Sequence, residues 1–215
     1  MVAAFPQELG PFLMKRKGRV ETLFTGMGPR QALKKLHPCL ARGRYQLVVS
    51  TGFAGGARPG LRVGDLVMAT QVIDASSGQH WLPARGLENS LGNLSWGSFV
   101  TTQRPVLAPQ AKEKLGVRYG AVAVDMETAA VAQVCTRAQV PWVALRAILD
   151  PMEVVLRCSS WQQAVGCMAL PSRWKEFARF LKEVQVASEQ LAKGLESLVF
   201  THQHKGDPAS RDFSG

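Results

Sequence analysis

The sequence has no apolar run of the roughly 20 residues that a membrane-spanning helix needs. Its first residues also lack the basic and apolar regions of a signal peptide, so we expect a cytoplasmic protein. Cysteine is scarce: Cys39, Cys135, Cys158 and Cys167 are scattered, and no close pair has the spacing of zinc ligands. We therefore expect reduced thiols and no metal site.

Acidic side chains are also few, with 16 Asp and Glu against 26 Lys and Arg, and the formal net charge is +10. A basic protein attracts anions such as phosphate, nucleic acid and acidic lipid, and charge alone does not choose among them. The basic residues are spread along the chain from Lys15 to Lys205, without the interleaved aromatic residues of an RNA-binding surface. We therefore expect no nucleic-acid partner.

What the sequence does contain is enough apolar material for one globular domain, since 46% of its 215 residues are hydrophobic. Signals for strands and helices alternate along it, which predicts a three-layer α/β/α fold around a mixed, mostly parallel twisted sheet. From Trp174 onward, apolar residues recur three and four positions apart, as in a long amphipathic helix. We predict one domain over 1–200, followed by a polar, disordered tail over 201–215.

Residues 123–150 carry acids at the ends of apolar elements. Asp125 can cap a helix, which places Glu127 in its first turn, and the apolar strand Val140 to Leu149 ends at Asp150. Ligands of α/β proteins collect at the carboxyl ends of strands, so Glu127 and Asp150 can face one crevice. Helix-dipole and turn chemistry would also explain each acid singly.

These residues resemble a known family. Val-Asp-Met-Glu-Thr-Ala-Ala-Val-Ala (124–132) and Val-Pro-Trp-Val-Ala-Leu-Arg-Ala-Ile-Leu-Asp (140–150) are similar to motifs of the nucleoside phosphorylase and nucleosidase family. That family includes purine nucleoside phosphorylases and methylthioadenosine/adenosylhomocysteine nucleosidases. The glycine-rich stretch Thr-Gly-Phe-Ala-Gly-Gly (51–56) with Pro-Gly-Leu-Arg-Val-Gly-Asp (59–65) is similar to a further family segment. The resemblance implies an enzyme that cleaves the N-glycosidic bond of a purine nucleoside.

The resemblance also implies roles for individual residues. Asp150 would protonate the purine at N7, Glu127 would hold the ribose hydroxyls, and Glu8 would take a proton from attacking water. On the substrate side, the implied binding residues are Gly52, Phe53, Val106, Asp125 and Met126. Phe53 stands where the family usually has serine or threonine, and Pro105 and Val106 stand where the nucleosidases carry a base-stacking aromatic ring.

Phosphate is the alternative nucleophile. The turn Gly26-Met-Gly-Pro29 opens a helix and can present backbone N–H groups to an anion, with Arg30 as a counter-charge. A bare tight turn explains these glycines equally well. No cofactor is expected, with inorganic phosphate as an alternative co-substrate, and the choice between phosphorolysis and hydrolysis stays open.

The departures at Phe53 and Pro105, with a short first strand and a basic final helix, resemble hopanoid-associated relatives, for which an adenosine linked to a lipid is the proposed substrate. The alternatives are a methylthioadenosine/adenosylhomocysteine nucleosidase and a non-catalytic nucleoside- or anion-binding protein. The family implies a homodimer or hexamer, and a lipid substrate would add peripheral contact with a membrane.

Overall fold

Strands and helices alternate through most of the computed structural model, which describes residues 1–15, 20–86, 94–153 and 174–205. The strands are β1 (Val2–Ala3), β2 (Leu23–Phe24), β3 (Val48–Gly56), β4 (Leu66–Asp74), β5 (His80–Trp81), β6 (Ser95–Thr101), β7 (Ala121–Asp125) and β8 (Trp142–Asp150). The helices are α1 (Pro6–Lys15), α2 (Pro29–Arg42), α3 (Pro109–Tyr119), α4 (Thr128–Arg137) and α5 (Trp174–Lys205).

The strands form one mixed sheet with the path β2-β1-β3-β7-β6-β4-β5, and β8 pairs with both β3 and β4. The pairs β1–β2, β1–β3, β3–β8, β4–β6 and β6–β7 are parallel. The pairs β3–β7, β4–β5 and β4–β8 are antiparallel. The long strands therefore pair in a closed circuit, and the predicted mixed, mostly parallel sheet is confirmed.

An apolar core lies on each face of the sheet, because its long strands carry few polar side chains. On one face, α2 and α4 bury Leu36 and Val131 against the strands. On the other, Leu9 of α1 and Leu191 and Leu195 of α5 form the second core. Helices thus cover both faces, and the predicted three-layer α/β/α fold is confirmed.

Element boundaries differ from the sequence expectations where backbone geometry overrides local preference. The glycine-rich stretch predicts a loop, but Gly52, Gly55 and Gly56 belong to β3, which pairs with β8 as far as Gly55 and with β7 at Gly55 and Gly56. Helix α4 begins at Thr128, so Glu127 immediately precedes it instead of lying in its first turn. Asp125 ends β7 and accepts a hydrogen bond from the backbone N of Thr128 at 3.3 Å, so it still anchors the start of α4.

The chain beyond β8 is described only from Trp174. Helix α5 confirms the long amphipathic helix, and it continues to Lys205, past position 201 where the sequence predicted the tail to begin. Residues 206–215 of that predicted tail lie outside the described residues. In the four described ranges, no helix combines the length and the apolar character required to traverse a bilayer.

Candidate active site

Three acids that are far apart in the sequence line one cavity of about 180 Å³. Glu8 comes from the first turn of α1, Glu127 from the junction of β7 and α4, and Asp150 from the end of β8. Glu8 and Asp150 lie at the carboxyl ends of β1 and β8, which both run parallel to β3, and such strand ends are where α/β proteins bind ligands. Strand β7, which leads to Glu127, is antiparallel to β3. The same cavity is lined by Phe53, Val106, Asp125 and Met126.

Glu8 is held by backbone groups of two elements. Its Oε2 accepts a hydrogen bond from the backbone N of Phe5 at 2.8 Å, and its Oε1 accepts one from the backbone N of Phe53 at 3.2 Å. The residue is only 6% exposed. Burial raises the pKa of Glu8, and these hydrogen bonds together with the charge of Arg146 oppose that rise. The carboxyl group is therefore fixed in place and is a stronger base than an exposed glutamate.

Gly52 lies directly behind Glu8 in β3. Its φ is +140°, and a Cβ added there would lie 2.7 Å from Glu8 Oε1. Glycine is required at this position because any larger residue would occupy the space of the carboxyl group. Gly52, which was predicted to lie on the substrate side, thus leaves the space that the Glu8 carboxyl group occupies.

Glu127 lines the same cavity and also shares the smaller one with Glu8. Its Oε1 accepts a hydrogen bond from the backbone N of Gly28 at 2.6 Å. Burial and the nearby charge of Asp125 raise the pKa of Glu127 to about 7, against the opposing effects of Gly28 and Arg146. Near neutral pH this side chain can therefore exist as a carboxylic acid, a hydrogen-bond donor, or as a carboxylate acceptor.

The raised pKa of Glu127 has a consequence for stability. Its ordinary value is 4.5, so between about pH 4.5 and 7 the folded protein binds more protons than the unfolded chain, and stability falls as pH rises through that interval. Full ionisation costs about 3 kcal/mol. We expect the midpoint of urea unfolding to be lower at pH 8 than at pH 5, and Glu127→Gln to reduce this difference.

The matched control for that comparison is Glu113→Gln, which removes an exposed acid on α3. It should leave the pH dependence of the unfolding midpoint as in the wild type. Glu8 and Asp150 also have raised pKa values, so part of the difference will remain in Glu127→Gln. An undiminished difference in that variant would show that Glu127 ionises as readily in the fold as in the unfolded chain.

Asp125 lines the cavity, but its carboxylate is committed to protein groups. Arg146 donates to Asp125 Oδ2 from Nη2 at 2.9 Å and from Nε at 3.1 Å. Thr101 Oγ1 donates to Oδ1 at 2.8 Å, and the Thr128 hydroxyl also donates to this carboxylate. The side chain is only 1% exposed. Asp125 therefore secures the junction that presents Glu127, and its contact with substrate stays a prediction.

Arg146 is the buried centre of that network. Besides Asp125, its Nη2 donates to Ser50 Oγ at 3.0 Å and to Thr128 Oγ1 at 2.6 Å. One guanidinium group thus links β3, β7, α4 and its own strand β8. Arg146 interrupts an otherwise apolar strand, and its partners could not be identified from the sequence.

Asp150 contacts a lysine that the sequence did not single out. Lys112 of α3 is fully buried, and its Nζ lies 2.6 Å from Asp150 Oδ1. Burial raises the pKa of Asp150 to about 6, Lys112 opposes the rise, and Glu183 adds to it. The Asp150 carboxyl can therefore hold a proton in part of the molecules near neutral pH.

The turn predicted to bind phosphate has a different geometry from the expected one. The backbone N of Gly26 donates to the carbonyl of Ala4 at 3.0 Å, and the backbone N of Gly28 donates to Glu127. Arg30 lines a separate cavity, beside Asp74 and Trp81, so neither Arg30 nor the ring of Trp81 belongs to the cavity that holds the acids. The glycine amides position protein groups here.

A second cavity, of about 10 Å³, shares Glu8 and Glu127 with the main one and also contacts Arg146 and Thr51. The hydroxyl of Thr51 is buried and has no hydrogen-bond partner among the described residues. A volume of this size is about that needed by one water molecule. The polar groups around it can hold such a water next to Glu8.

An apolar wall completes the main cavity. Phe180 and Val184 of α5 pack with Phe53 and Leu149 and line the cavity beside Asp150. Sequence periodicity predicted that α5 covers the sheet, but it gave no sign that the first turns of this helix reach the site. A ligand held by the acids would thus have an apolar part against this wall.

Comparison with known proteins gives a consistent picture. The sequence matches the phosphorylase superfamily over residues 11–86 and 84–199. It is 33% identical over 159 residues to the 5′-methylthioadenosine/S-adenosylhomocysteine nucleosidase of Geobacillus thermodenitrificans, covering 60% of this chain and 65% of that protein. The nucleosidase of the same name from Bacillus subtilis is 31% identical over 159 residues, covering 60% of this chain and 66% of that protein. The chain thus spans less than two thirds of the length of these relatives.

Solved structures show the same fold. The Helicobacter pylori 5′-methylthioadenosine/S-adenosylhomocysteine nucleosidase superposes with a TM-score of 0.69 at 20% identity, covering 93% of this chain and 96% of that one. The futalosine hydrolase of the same organism also gives a TM-score of 0.69 at 20% identity, with the same coverage. At this level of identity the structural likeness establishes the architecture alone.

Proposed function

Because the chain belongs to the phosphorylase superfamily, we propose that it cleaves the N-glycosidic bond of a purine nucleoside, releasing adenine. The observation that carries this proposal is the meeting of Glu8, Glu127 and Asp150 in one partly apolar cavity, all three with raised pKa values. Such perturbed acids cluster at functional sites, and a site that only binds a neutral nucleoside has no need of three.

Breaking this bond develops positive charge on the sugar and negative charge on the base. Asp150, with a pKa of about 6, is suited to give a proton to the leaving purine at near-neutral pH. Glu127 lines the same cavity, and its pKa of about 7 suits it to bind ribose hydroxyls as donor or acceptor. Its ionised form would also stabilise positive charge on the sugar.

We propose water as the nucleophile. Glu8 is placed to accept a proton from a water in the adjoining small cavity, where Arg146 and the Thr51 hydroxyl supply further polar contacts. The alternative, phosphorolysis, needs a site for a dianion, but the amides of Gly26 and Gly28 are engaged and Arg30 lies elsewhere. Arg146 is itself committed to Asp125.

For the sugar 5′ position we propose an apolar substituent. The support is the apolar wall formed by Phe53, Leu149, Phe180 and Val184. In it, Phe53 stands at the position where the resemblance implies a serine or threonine. A hopanoid-linked adenosine and methylthioadenosine both meet this description, and we place the lipid-linked substrate first. A lipid-linked substrate would bring the protein into peripheral contact with a membrane, which liposome flotation can test. We also propose that the protein is a homodimer or hexamer, which sedimentation can test.

Adenine release from methylthioadenosine, adenosine and a lipid-linked adenosine, each with and without phosphate, tests these proposals. We expect release that does not depend on phosphate and that is faster when the 5′ substituent is apolar. Release only with phosphate would make the enzyme a phosphorylase. No release from any substrate, combined with measurable nucleoside binding, would support a binding protein.

Gly52→Ala should slow this reaction by about 10²-fold, because the added methyl group displaces the Glu8 carboxyl and misplacements near 1 Å have effects of that size. The initial rate and the melting temperature should both be measured. Gly10→Ala is the matched control, since a Cβ at Gly10 meets nothing within 4 Å. Equal rates in the two variants would mean that Glu8 needs no fixed position.

A further inference from the structure

The buried lysine of α3 has no part in the reaction as described so far. Lys112 is 0% exposed, although lysine is almost never fully buried unless it is paired. The other charged residues of α3, Glu113, Lys114 and Arg118, are all exposed. One ammonium group of this helix is therefore directed inward, toward the end of β8.

Three contacts of Lys112 involve the chain around Asp150. Its Nζ donates to the carbonyl of Pro151 at 3.1 Å and approaches the carbonyl of Asp150 at 3.5 Å, while lying 2.6 Å from Asp150 Oδ1. It thus contacts the backbone carbonyls of the acid and of the residue that follows it, as well as the carboxyl group.

The two carboxyl oxygens of Asp150 consequently have different surroundings. Oδ1 is fully buried beside the ammonium group, whereas the side chain as a whole keeps 10% of its surface exposed and lines the cavity. The remaining exposed surface therefore belongs to the part of the side chain away from Lys112. An ion pair on the inner oxygen fixes which part of the acid faces a ligand.

We infer that Lys112 is the positioning residue of Asp150: it holds the inner carboxyl oxygen and sets how readily the acid gives up and regains its proton. This inference rests on the proposed role of Asp150 as the acid. A buried carboxyl without a nearby positive charge would hold its proton too firmly to give it to the purine. The Lys112 ammonium group opposes this effect of burial. Other charged groups near the acid are Glu183 on α5 and, across the cavity, Glu8 and Glu127.

Lys112→Met tests the inference, with Lys114→Met as the matched control that removes one exposed charge from the same helix. The primary readout is the ¹³C NMR titration of the Asp150 carboxyl, assigned by the loss of its signal in Asp150→Asn. Removal of an adjacent opposite charge should raise the Asp150 pKa by about 1–3 units in Lys112→Met. Lys114→Met should leave it unchanged.

The high-pH limb of kcat/KM should move upward with the titration, which a purely structural role would not cause. If Lys112→Met does not fold, as judged by its melting transition, Lys112→Gln gives the same comparison with a neutral polar side chain. A folded variant with an unmoved Asp150 titration would overturn the inference. Undiminished adenine release by Asp150→Asn would instead overturn the proposed acid role, so the two failures can be distinguished.

Discussion

Asp150→Asn is expected to slow adenine release by about 10²–10⁴-fold, the usual contribution of a positioned general acid. Asparagine matches aspartate in shape but has no acidic proton to give to the departing purine. Because the acid lies in a largely buried setting against Lys112, no other carboxyl occupies its place. Single-turnover rates at pH 6, where about half of Asp150 is protonated, would measure the loss most directly.

The substitution also leaves the Lys112 ammonium without its counter-charge, and breaking a buried ion pair typically costs about 3–5 kcal/mol of stability. Stability and catalysis are separated by the double variant Asp150→Asn with Lys112→Met, which removes both charges. This variant should recover part of the melting temperature but none of the rate. A nucleoside whose base leaves readily without protonation should be affected least by Asp150→Asn. Near-normal adenine release by that variant would exclude Asp150 as the acid.

Glu8→Gln is expected to reduce the rate by a similar factor, about 10²–10⁴-fold, because an amide cannot accept a proton from water. It also disturbs the local hydrogen bonds. Both Glu8 oxygens accept from backbone N–H groups, those of Phe5 and Phe53, and an amide NH₂ would face one of these donors. The loss should therefore appear in kcat together with a small decrease in stability.

Nucleoside binding distinguishes a catalytic loss from a general disruption of the site. We expect Glu8→Gln to bind a non-hydrolysable nucleoside analogue within a few-fold of the wild type, as measured by calorimetry. Glu113→Gln, an exposed acid on α3, is the matched control and should keep both rate and binding. If added phosphate restored turnover to Glu8→Gln, the nucleophile would be phosphate and the assignment of Glu8 as base would be wrong.

The strands and helices that carry these acids could be predicted because buried elements have regular patterns of apolar residues. Glu127 follows the apolar strand β7, and Asp150 ends the apolar strand β8. In the structure β7 is antiparallel to β3 and β8 is parallel to it, a relation that the sequence did not indicate. No such pattern marks Lys112 as buried. It lies among exposed Glu113, Lys114 and Arg118, so its inward direction depends on how α3 packs against the sheet, which local pattern does not contain.

The turn at Gly26 to Gly28, for which phosphate binding and a bare tight turn were both predicted, shows what such a pattern leaves open. Glycines before a helix indicate available backbone amides, but whether those amides are free depends on the rest of the fold. In the structure, Ala4 and Glu127 occupy the amides of Gly26 and Gly28. A motif of this kind predicts where donors lie and not what they bind. The departure at Phe53 was more informative, since its ring belongs to the apolar wall beside Asp150.

The closed circuit of long strands also affects the tendency of the protein to aggregate at high concentration. Along the sheet path, the strands at the two ends, β2 and β5, have only two residues each. Long unpaired strand edges are templates for pairing with other chains, and short edges offer few backbone groups for this purpose. The pairing of β8 with both β3 and β4 thus gives the site its frame and also limits the backbone that another copy of the chain could extend into an aggregate.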